Sequence, residues 1–157
     1  MADYIIIGGG SAGCVLAARL SEDPTVQVTL LEAGPPDSSV LIHCPAGLAL
    51  LAKNGQANWA FQTVPQPGLN GRRGYQPRGK VLGGSSSVNA MIYARGHQRD
   101  YDHWAEQGNA GWAWADVLPY FKRAEHNERG ADDWHGTGGP LNVRDLTTPN
   151  RFGPVFV

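Results

Sequence analysis

Apolar positions in the first 34 residues fall into three blocks separated by small or polar residues. Tyr4-Ile5-Ile6-Ile7 is a short continuous apolar run, rich in β-branched residues and closed by Gly8-Gly9-Gly10. Such a run predicts a strand buried on both faces, as in a parallel sheet. Ser11 to Leu20 carries Cys14, Val15, Leu16, Ala17, Ala18 and Leu20, apolar nearly all round, ahead of Pro24. That pattern predicts a buried helix stopped by the residue before the proline. Val26, Val28, Leu30 and Leu31 form a second strand, ending at Glu32-Ala33-Gly34-Pro35-Pro36. Strand, tight turn, helix and strand in this order predict a right-handed βαβ unit with parallel strands.

No period dominates from Ser38 to Ala57. Asn58 to Val64 then alternates as a strand does, and Pro65-Gln66-Pro67-Gly68 with Asn70-Gly71 signals a hairpin turn. The return run, Gly74 to Leu82, enters Gly83-Gly84-Ser85-Ser86-Ser87, and Val88-Asn89-Ala90-Met91-Ile92-Tyr93 predicts a short apolar helix after it. Asp100 is expected to cap a helix carrying Tyr101, Trp104 and Ala105 and stopping at Gly108. Val117, Leu118, Phe121 and Ala124 recur at helical spacing, which puts their aromatics in a core. The charged stretch Lys122 to Asp133 is expected to be a solvated helix end and loop.

Composition sharpens the picture. Gly (21) and Pro (11) take about a fifth of the 157 residues, against roughly 12% in average usage. The glycines have no period of three, and 41% hydrophobic content with five Trp disfavours disorder, so the backbone must turn tightly or approach something closely. Thirteen Lys+Arg against fourteen Asp+Glu leaves a net charge of -1 and no electrostatic footprint for nucleic acid. Cys14 and Cys44 stand alone, which excludes a local metal site and predicts two buried thiols in a reducing compartment. The N-terminus runs into an apolar strand without a basic region or cleavage site. The longest apolar run, Ala46 to Ala52, is far below the roughly 18 residues of a membrane span. The expected location is therefore the cytoplasm or the periphery of the inner membrane, with no transmembrane segment.

The first turn carries the candidate chemistry. In Gly8-x-Gly10-x-x-Gly13, the first glycine permits the sharp turn and the second lets a pyrophosphate approach the backbone. The third, with Ala17 one helical turn on, lets the helix pack closely. The free N–H groups at the helix start then face the diphosphate. Glu32, at the end of the second strand, can accept both ribose hydroxyls of an adenosine, which disfavours a 2'-phosphate and leaves NAD and FAD open. The Gly83 to Ser87 turn adds amides and hydroxyls suited to a polar ring edge or an oxyanion.

The segment Gly79-Lys80-Val81-Leu82-Gly83-Gly84-Ser85-Ser86-Ser87-Val88-Asn89, followed by Tyr93, Gly96 and Asp102, resembles the first signature of the glucose-methanol-choline (GMC) oxidoreductases. Asp3 to Gly13 and Leu31-Glu32-Ala33-Gly34 resemble their adenosine site. Arg95-Gly96-His97, Gly111-Trp112, Leu118-Pro119-Tyr120-Phe121 and His135 to Leu141 extend the match, most similar to the choline and primary-alcohol dehydrogenase branch. The resemblance implies an α/β, Rossmann-like FAD-binding domain with an incomplete sheet over residues 1–135 and the start of a substrate-binding domain over 136–157. It implies that Gly8, Gly10, Ser11, Ala12 and Gly13 hold the FAD pyrophosphate, and Glu32 and Ala33 the adenosine. Trp59, Arg78, Val81, Gly83, Gly84 and Ser85 would line the extended FAD, and Asn89, Ala90, Met91 and Ile92 would border the flavin pyrimidine and N5.

Some relatives attach the flavin through a His immediately before the position of Asn89. Here that residue is Val88, so the expected FAD is non-covalent. The family's alcohol-activating His and its partner belong to a C-terminal part, so no catalytic residue carries over, and the five histidines present are expected to be structural or superficial. The chain is expected to be a fragment of a flavoenzyme that oxidises a small primary alcohol to an aldehyde, with a quinone or similar electron acceptor. The competing readings are a non-catalytic nucleotide-binding module and an NAD-dependent Rossmann dehydrogenase.

Overall fold

The computed structural model describes residues 1–146, and only the backbone of residues 52–54. The part of the expected substrate-binding segment at 147–157 lies outside the described residues. The chain divides into two compact units, Met1–Ile92 and Tyr93–Val157.

In the first unit, β1 (Tyr4–Ile7), α1 (Ser11–Leu20) and β2 (Val28–Leu31) form the expected βαβ unit. The strands are parallel, with Tyr4 opposite Val28 and Ile7 opposite Leu31. β1 and α1 have the bounds their apolar runs predict, whereas β2 begins at Val28 because Val26 belongs to the turn, its N–H bonding to Asp23 O. Helix α1 ends before Ser21, as its apolar run predicts, three residues short of the proline. It ends where the Ser21 N–H closes on Ala17 O, before the Asp23-Thr25 turn, in which Asp23 Oδ1 accepts the Thr25 N–H at 2.9 Å. Burial also departs from expectation. Ile6 and Gly13 are buried, but Ile7 is 88% exposed and Ile5, Val15 and Leu16 are more than half exposed. β1 pairs with β2 alone among the described residues, so two strands and one helix leave these faces uncovered. Each large aliphatic left in water forgoes roughly 1.5–3 kcal/mol of burial.

The ambiguous stretch 38–57 holds α2 (Val40–His43), capped by Ser39, a 3-10 turn at Pro45–Gly47, and α3 (Leu48–Asn54). Its helical core anchor is Leu51, 4% exposed. The hairpin forms as its turn residues dictate. Asn70 (φ 54°) and Gly71 (φ 74°) make a left-handed pair closed by Arg72 N–H to Leu69 O. Its arms pair as β3 (Phe61–Gln62) and β4 (Tyr75–Gln76), shorter than the expected strand, with further bridges at Asn58–Gly79 and Gln66–Arg72. Left-handed Ala57 and Ala60 interrupt the arm. After Gly83, residues Gly84–Ser87 form one 3-10 turn. The expected apolar helix at 88–93 is absent: Met91 takes φ +55°, which no helix tolerates, and its N–H is bonded to Asn89 Oδ1 at 2.8 Å.

In the second unit, α4 (Gln98–Glu106) begins three residues earlier than the Asp100 cap predicts. His97 is the cap, its Nδ1 accepting the Arg99 N–H, and Asp100 reaches back from the first turn to the His97 N–H at 2.8 Å. Gly108 (φ +95°) follows the helix end as expected. α5 (Trp114–Ala124) starts on the Asp102 carboxylate, which accepts the Trp114 N–H at 2.9 Å. Tyr101, Trp114 and Phe121 lie within 5.4–6.1 Å of one another, centroid to centroid, and form an aromatic core, whereas Tyr120 of the same helix is 63% exposed, so only part of the expected aromatic face is buried.

The charged stretch Lys122 to Asp133 is the expected helix end and exposed loop only in part. It contains β5 (Glu125–Asn127), parallel to β6 (Leu141–Val143), and Glu125 has no exposed surface. Arg95 meets the Glu125 carboxylate, Asn127 Nδ2 donates to it at 2.8 Å, and Arg95 also donates to Trp134 O and lies 5.1 Å from the Phe121 ring. The pair accounts for a buried carboxylate that local patterning assigns to solvent.

Candidate cofactor site

Gly8 turns the chain after β1 at φ +98°, and its N–H donates to Leu31 O at 2.7 Å. A Cβ on Gly13 would sit 1.9 Å from Gly8 O, so only glycine lets α1 descend onto this turn. Gly10 caps α1 without a side chain, and Ser11 and Ala12 are exposed. The first-turn N–H groups are thereby left for an anion, aided by the helix dipole. Glu32 lies just past β2. Its carboxylate accepts the Gly9 N–H at 2.6 Å and the Gly34 N–H at 2.8 Å, tying the turn after β1 to the turn after β2. Each oxygen keeps capacity for a further donor such as a ribose hydroxyl.

The second glycine block is laid directly on the first. Gly83 N–H donates to Gly9 O at 2.6 Å and Leu82 N–H to Pro35 O at 2.9 Å. A Cβ on Gly84 would approach Gly10 Cα to 2.8 Å, and one on Gly34 would strike the Lys80–Val81 peptide at 2.2 Å. The structure thus brings Gly8, Gly10, Ser11, Ala12, Gly13, Glu32, Ala33, Gly83 and Gly84 to one locality. Val81 lies beneath it with no exposed surface, so it shapes the cradle without facing it.

A second group surrounds a cavity of about 310 Å³, lined by Leu48, Leu51, Asn58, Arg78, Ser85 and Asn89 among others. Ser85 Oγ accepts the Gly79 N–H at 3.0 Å, and the Arg78 guanidinium rests on Pro77 O at 2.6 Å. A neighbouring cavity of about 160 Å³ shares Leu48, Leu51, Val88 and Asn89 and adds Met91 and Cys44. Ala90, Met91 and Ile92 are exposed. Trp59 lines neither cavity. Its ring stacks on Phe61 at 5.7 Å, with Lys80 Nζ 4.6 Å from its centroid. The α3 wall and the Lys80–Trp59 contact escaped the sequence analysis, although Leu48 and Leu51 already have helical spacing.

Both cysteines are free, but they are not both buried. Cys44 is exposed where the chain leaves α2, and Cys14 is half-buried, its Sγ donating to Gly9 O at 3.1 Å. Four of the five histidines are engaged in local structure: His97 caps α4, His103 sits 3.5 Å from Glu106, and His126 Nδ1 accepts the Gly138 N–H. His135 Nδ1 lies 3.0 Å from Asp132, whose carboxyl this contact, with the Trp134 and His135 N–H groups, pulls down to about 2. No group among the described residues could hold a metal ion, and no described helix is long and apolar enough to cross a membrane.

This arrangement has close counterparts. The chain is 54% identical over 158 residues to an alcohol dehydrogenase [acceptor] of Pseudomonas putida, covering 100% of this chain and 29% of the relative. It is 54% identical over 156 residues to an oxygen-dependent choline dehydrogenase of Brucella anthropi, covering 99% and 28%. It therefore spans under a third of the length of these curated relatives. The crystal structure of pyridoxine 4-oxidase from Mesorbium loti superposes with a TM-score of 0.83 at 43% identity, over 90% of this chain and 28% of that one. A formate oxidase of Aspergillus oryzae, a variant solved for the effect of mutation on FAD modification, gives 0.81 at 30% identity, over 98% and 28%. Residues 2–153 match the family profile described as GMC oxidoreductase, and the chain belongs to that family.

Proposed function

We propose that residues 1–135 are the N-terminal part of an FAD-binding domain and 136–157 the opening of a substrate-binding domain. The parent enzyme oxidises a primary alcohol, choline-like or aliphatic or aromatic, to an aldehyde, with a quinone or similar electron acceptor. This division is one of role, distinct from the compact units. The observation that carries the reading is the meeting of the two glycine turns at the start of α1, backbone against backbone, beside a carboxylate at the end of β2. Such a cradle fits a dinucleotide: side chains are excluded where a pyrophosphate would lie, and N–H donors remain. GMC oxidoreductases are FAD flavoproteins, which selects FAD over NAD for this cradle.

In this reading the α1 amides bind the pyrophosphate, Glu32 and Ala33 hold the adenosine, and Gly83, Gly84, Ser85, Arg78 and Trp59 flank the extended cofactor, with Val81 packed behind them. Asn89, Ala90, Met91 and Ile92 border the flavin ring edge, where backbone donors favour negative charge. FAD, when bound, would accept a hydride from the alcohol carbon at N5. Val88 has an alkyl side chain at the position from which some relatives bond the flavin, so attachment is non-covalent. The base that takes the alcohol proton is assigned to the C-terminal part in which the family resemblance places it, outside residues 1–157. The exposed apolar faces of β1 and α1 suit a sheet continued by further chain. The free thiols suit the reducing cytoplasm.

Denaturing the complete protein should release flavin into the supernatant, identified as FAD by its absorbance and mass. Before denaturation, anaerobic addition of a primary alcohol or choline should bleach the flavin band. Nicotinamide or no cofactor would refute the FAD assignment, flavin retained in the precipitate would refute non-covalent attachment, and an unbleached band would refute alcohol oxidation.

A further inference from the structure

Two asparagines line the 310 Å³ cavity, and both are tied into the backbone in the same way. Asn58 Oδ1 accepts the N–H of Ala60 at 2.9 Å, and Asn89 Oδ1 accepts the N–H of Met91 at 2.8 Å. In each case the bonded residue lies two positions on, the spacing of an Asx turn. In each case it is left-handed, with φ +51° at Ala60 and +55° at Met91. Among the described residues, the other non-glycine positions with positive φ are Asn70, in the hairpin turn, and Ala57, itself on the cavity wall. Residues with a Cβ avoid this region unless their surroundings impose it, and such imposed conformations gather at binding sites.

The arrangement decides which donors are available. The Met91 N–H is spent on Asn89, whereas the Ala90 and Ile92 N–H groups have no hydrogen-bond partner among the described residues. We propose that Asn58 and Asn89, both on the cavity lining, are a matched pair of positioning residues, which preset the chain that runs on from the cavity by holding Ala60 and Met91 left-handed. Segments 58–60 and 89–92 then have their bound shape before the cofactor arrives, so binding does not bear the cost of ordering them. The proposal rests on the FAD reading for the identity of the ligand, and on the two Asx turns for the mechanism.

Asn89 gives the cleaner test, because Asn58 Oδ1 also accepts the Arg78 N–H at 3.0 Å and its Nδ2 donates to Tyr75 at 2.8 Å. In the complete protein, Asn89→Ala should raise the FAD dissociation constant about tenfold, while Asn89→Asp, which keeps the acceptor, should stay within about threefold. In a Met91→Gly background, where positive φ needs no support, Asn89→Ala should cost less than about twofold. The same tenfold loss in both backgrounds overturns the proposal, because Asn89 would then act independently of the Met91 backbone. A cofactor-free readout is amide hydrogen exchange at Met91, which should be slow in the wild type and in Asn89→Asp and fast in Asn89→Ala. Fast exchange in the wild type also overturns the proposal. A complete protein that binds no FAD, yet loses Met91 protection in Asn89→Ala, refutes the cofactor assignment and supports the positioning role.

Discussion

Both units contain backbone approaches that only glycine allows, Gly13 on Gly8 in the first and Gly136 on Lys122 in the second, but residues 93–146 add a cluster of packed aromatic rings and a buried ion pair. The first unit brings Gly13 onto Gly8, Gly84 onto Gly10 and Gly34 onto the Lys80–Val81 peptide, and leaves Ile5, Ile7, Val15 and Leu16 largely in water. The second buries Tyr101 and Trp114 among neighbouring rings and closes the Arg95–Glu125 pair inside. Close backbone approach exposes N–H groups to a ligand but buries little apolar area. Aromatic packing does the reverse, at about 0.5–1.5 kcal/mol per ring pair beyond burial. The difference teaches that the glycine turns of the first unit shape a binding surface while the rings and ion pair of the second build a side-chain core, so substitutions should separate them.

The largest separation should come from Glu125→Ala, which leaves the Arg95 guanidinium, 11% exposed, without its carboxylate. We expect a loss of about 3–5 kcal/mol, read by urea denaturation with a probe in the second unit. The double change Arg95→Met with Glu125→Leu should recover most of it, since no buried charge then remains. If Glu125→Ala cost no more than a surface substitution, the second unit would not be organised around this pair. Gly13→Ala should break the first unit instead. Its methyl would meet Gly8 O at 1.9 Å, so the turn must move. A stability loss of about 1–3 kcal/mol should come with loss of flavin during purification, measured as the ratio of flavin to protein absorbance. Full flavin content in this variant would remove the close-approach argument.

The smallest effect should come from Asp132. The His135 contact, then the Trp134 and His135 N–H groups, lower its carboxyl from 3.8 to about 2 in the folded protein. Because the folded value is depressed, its contribution is present above 3.8 and is lost as pH falls through about 2. Asp132→Asn should flatten stability against pH in that window only, followed by denaturation at graded acid pH. The carboxylate is exposed, so the change should be slight and confined to the second unit.

Much of the first unit was legible because its signals are local. The runs Tyr4–Ile7 and Ser11–Leu20 predict β1 and α1 to the residue, and Asn70-Gly71 predicts its own left-handed turn. The apolar spacing of α5 predicts Phe121 in its core but not the exposure of Tyr120 or the burial of Trp114. Where patterning failed, a side chain or a distant partner had intervened. Val88 to Tyr93 has the composition of a helix, but Asn89 captures the Met91 N–H and breaks it. Asp100 is a plausible cap, but His97 takes that place and Asp100 serves the first turn. Glu125 looks solvated until Arg95, 30 residues away, is brought beside it.

The sequence by itself determined the βαβ unit, the hairpin and the helices of the second unit, because these follow from hydrophobic period, turn chemistry and glycine placement within a few residues. It also identified both glycine blocks as backbone-exposing turns. Only the tertiary structure decided that the blocks lie on one another, that Glu32 ties two turns, that Arg95 and Glu125 are buried together, and that Asn58 and Asn89 line one cavity. Each of those contacts joins positions far apart in the chain or depends on a backbone angle, and neither is encoded in local residue spacing.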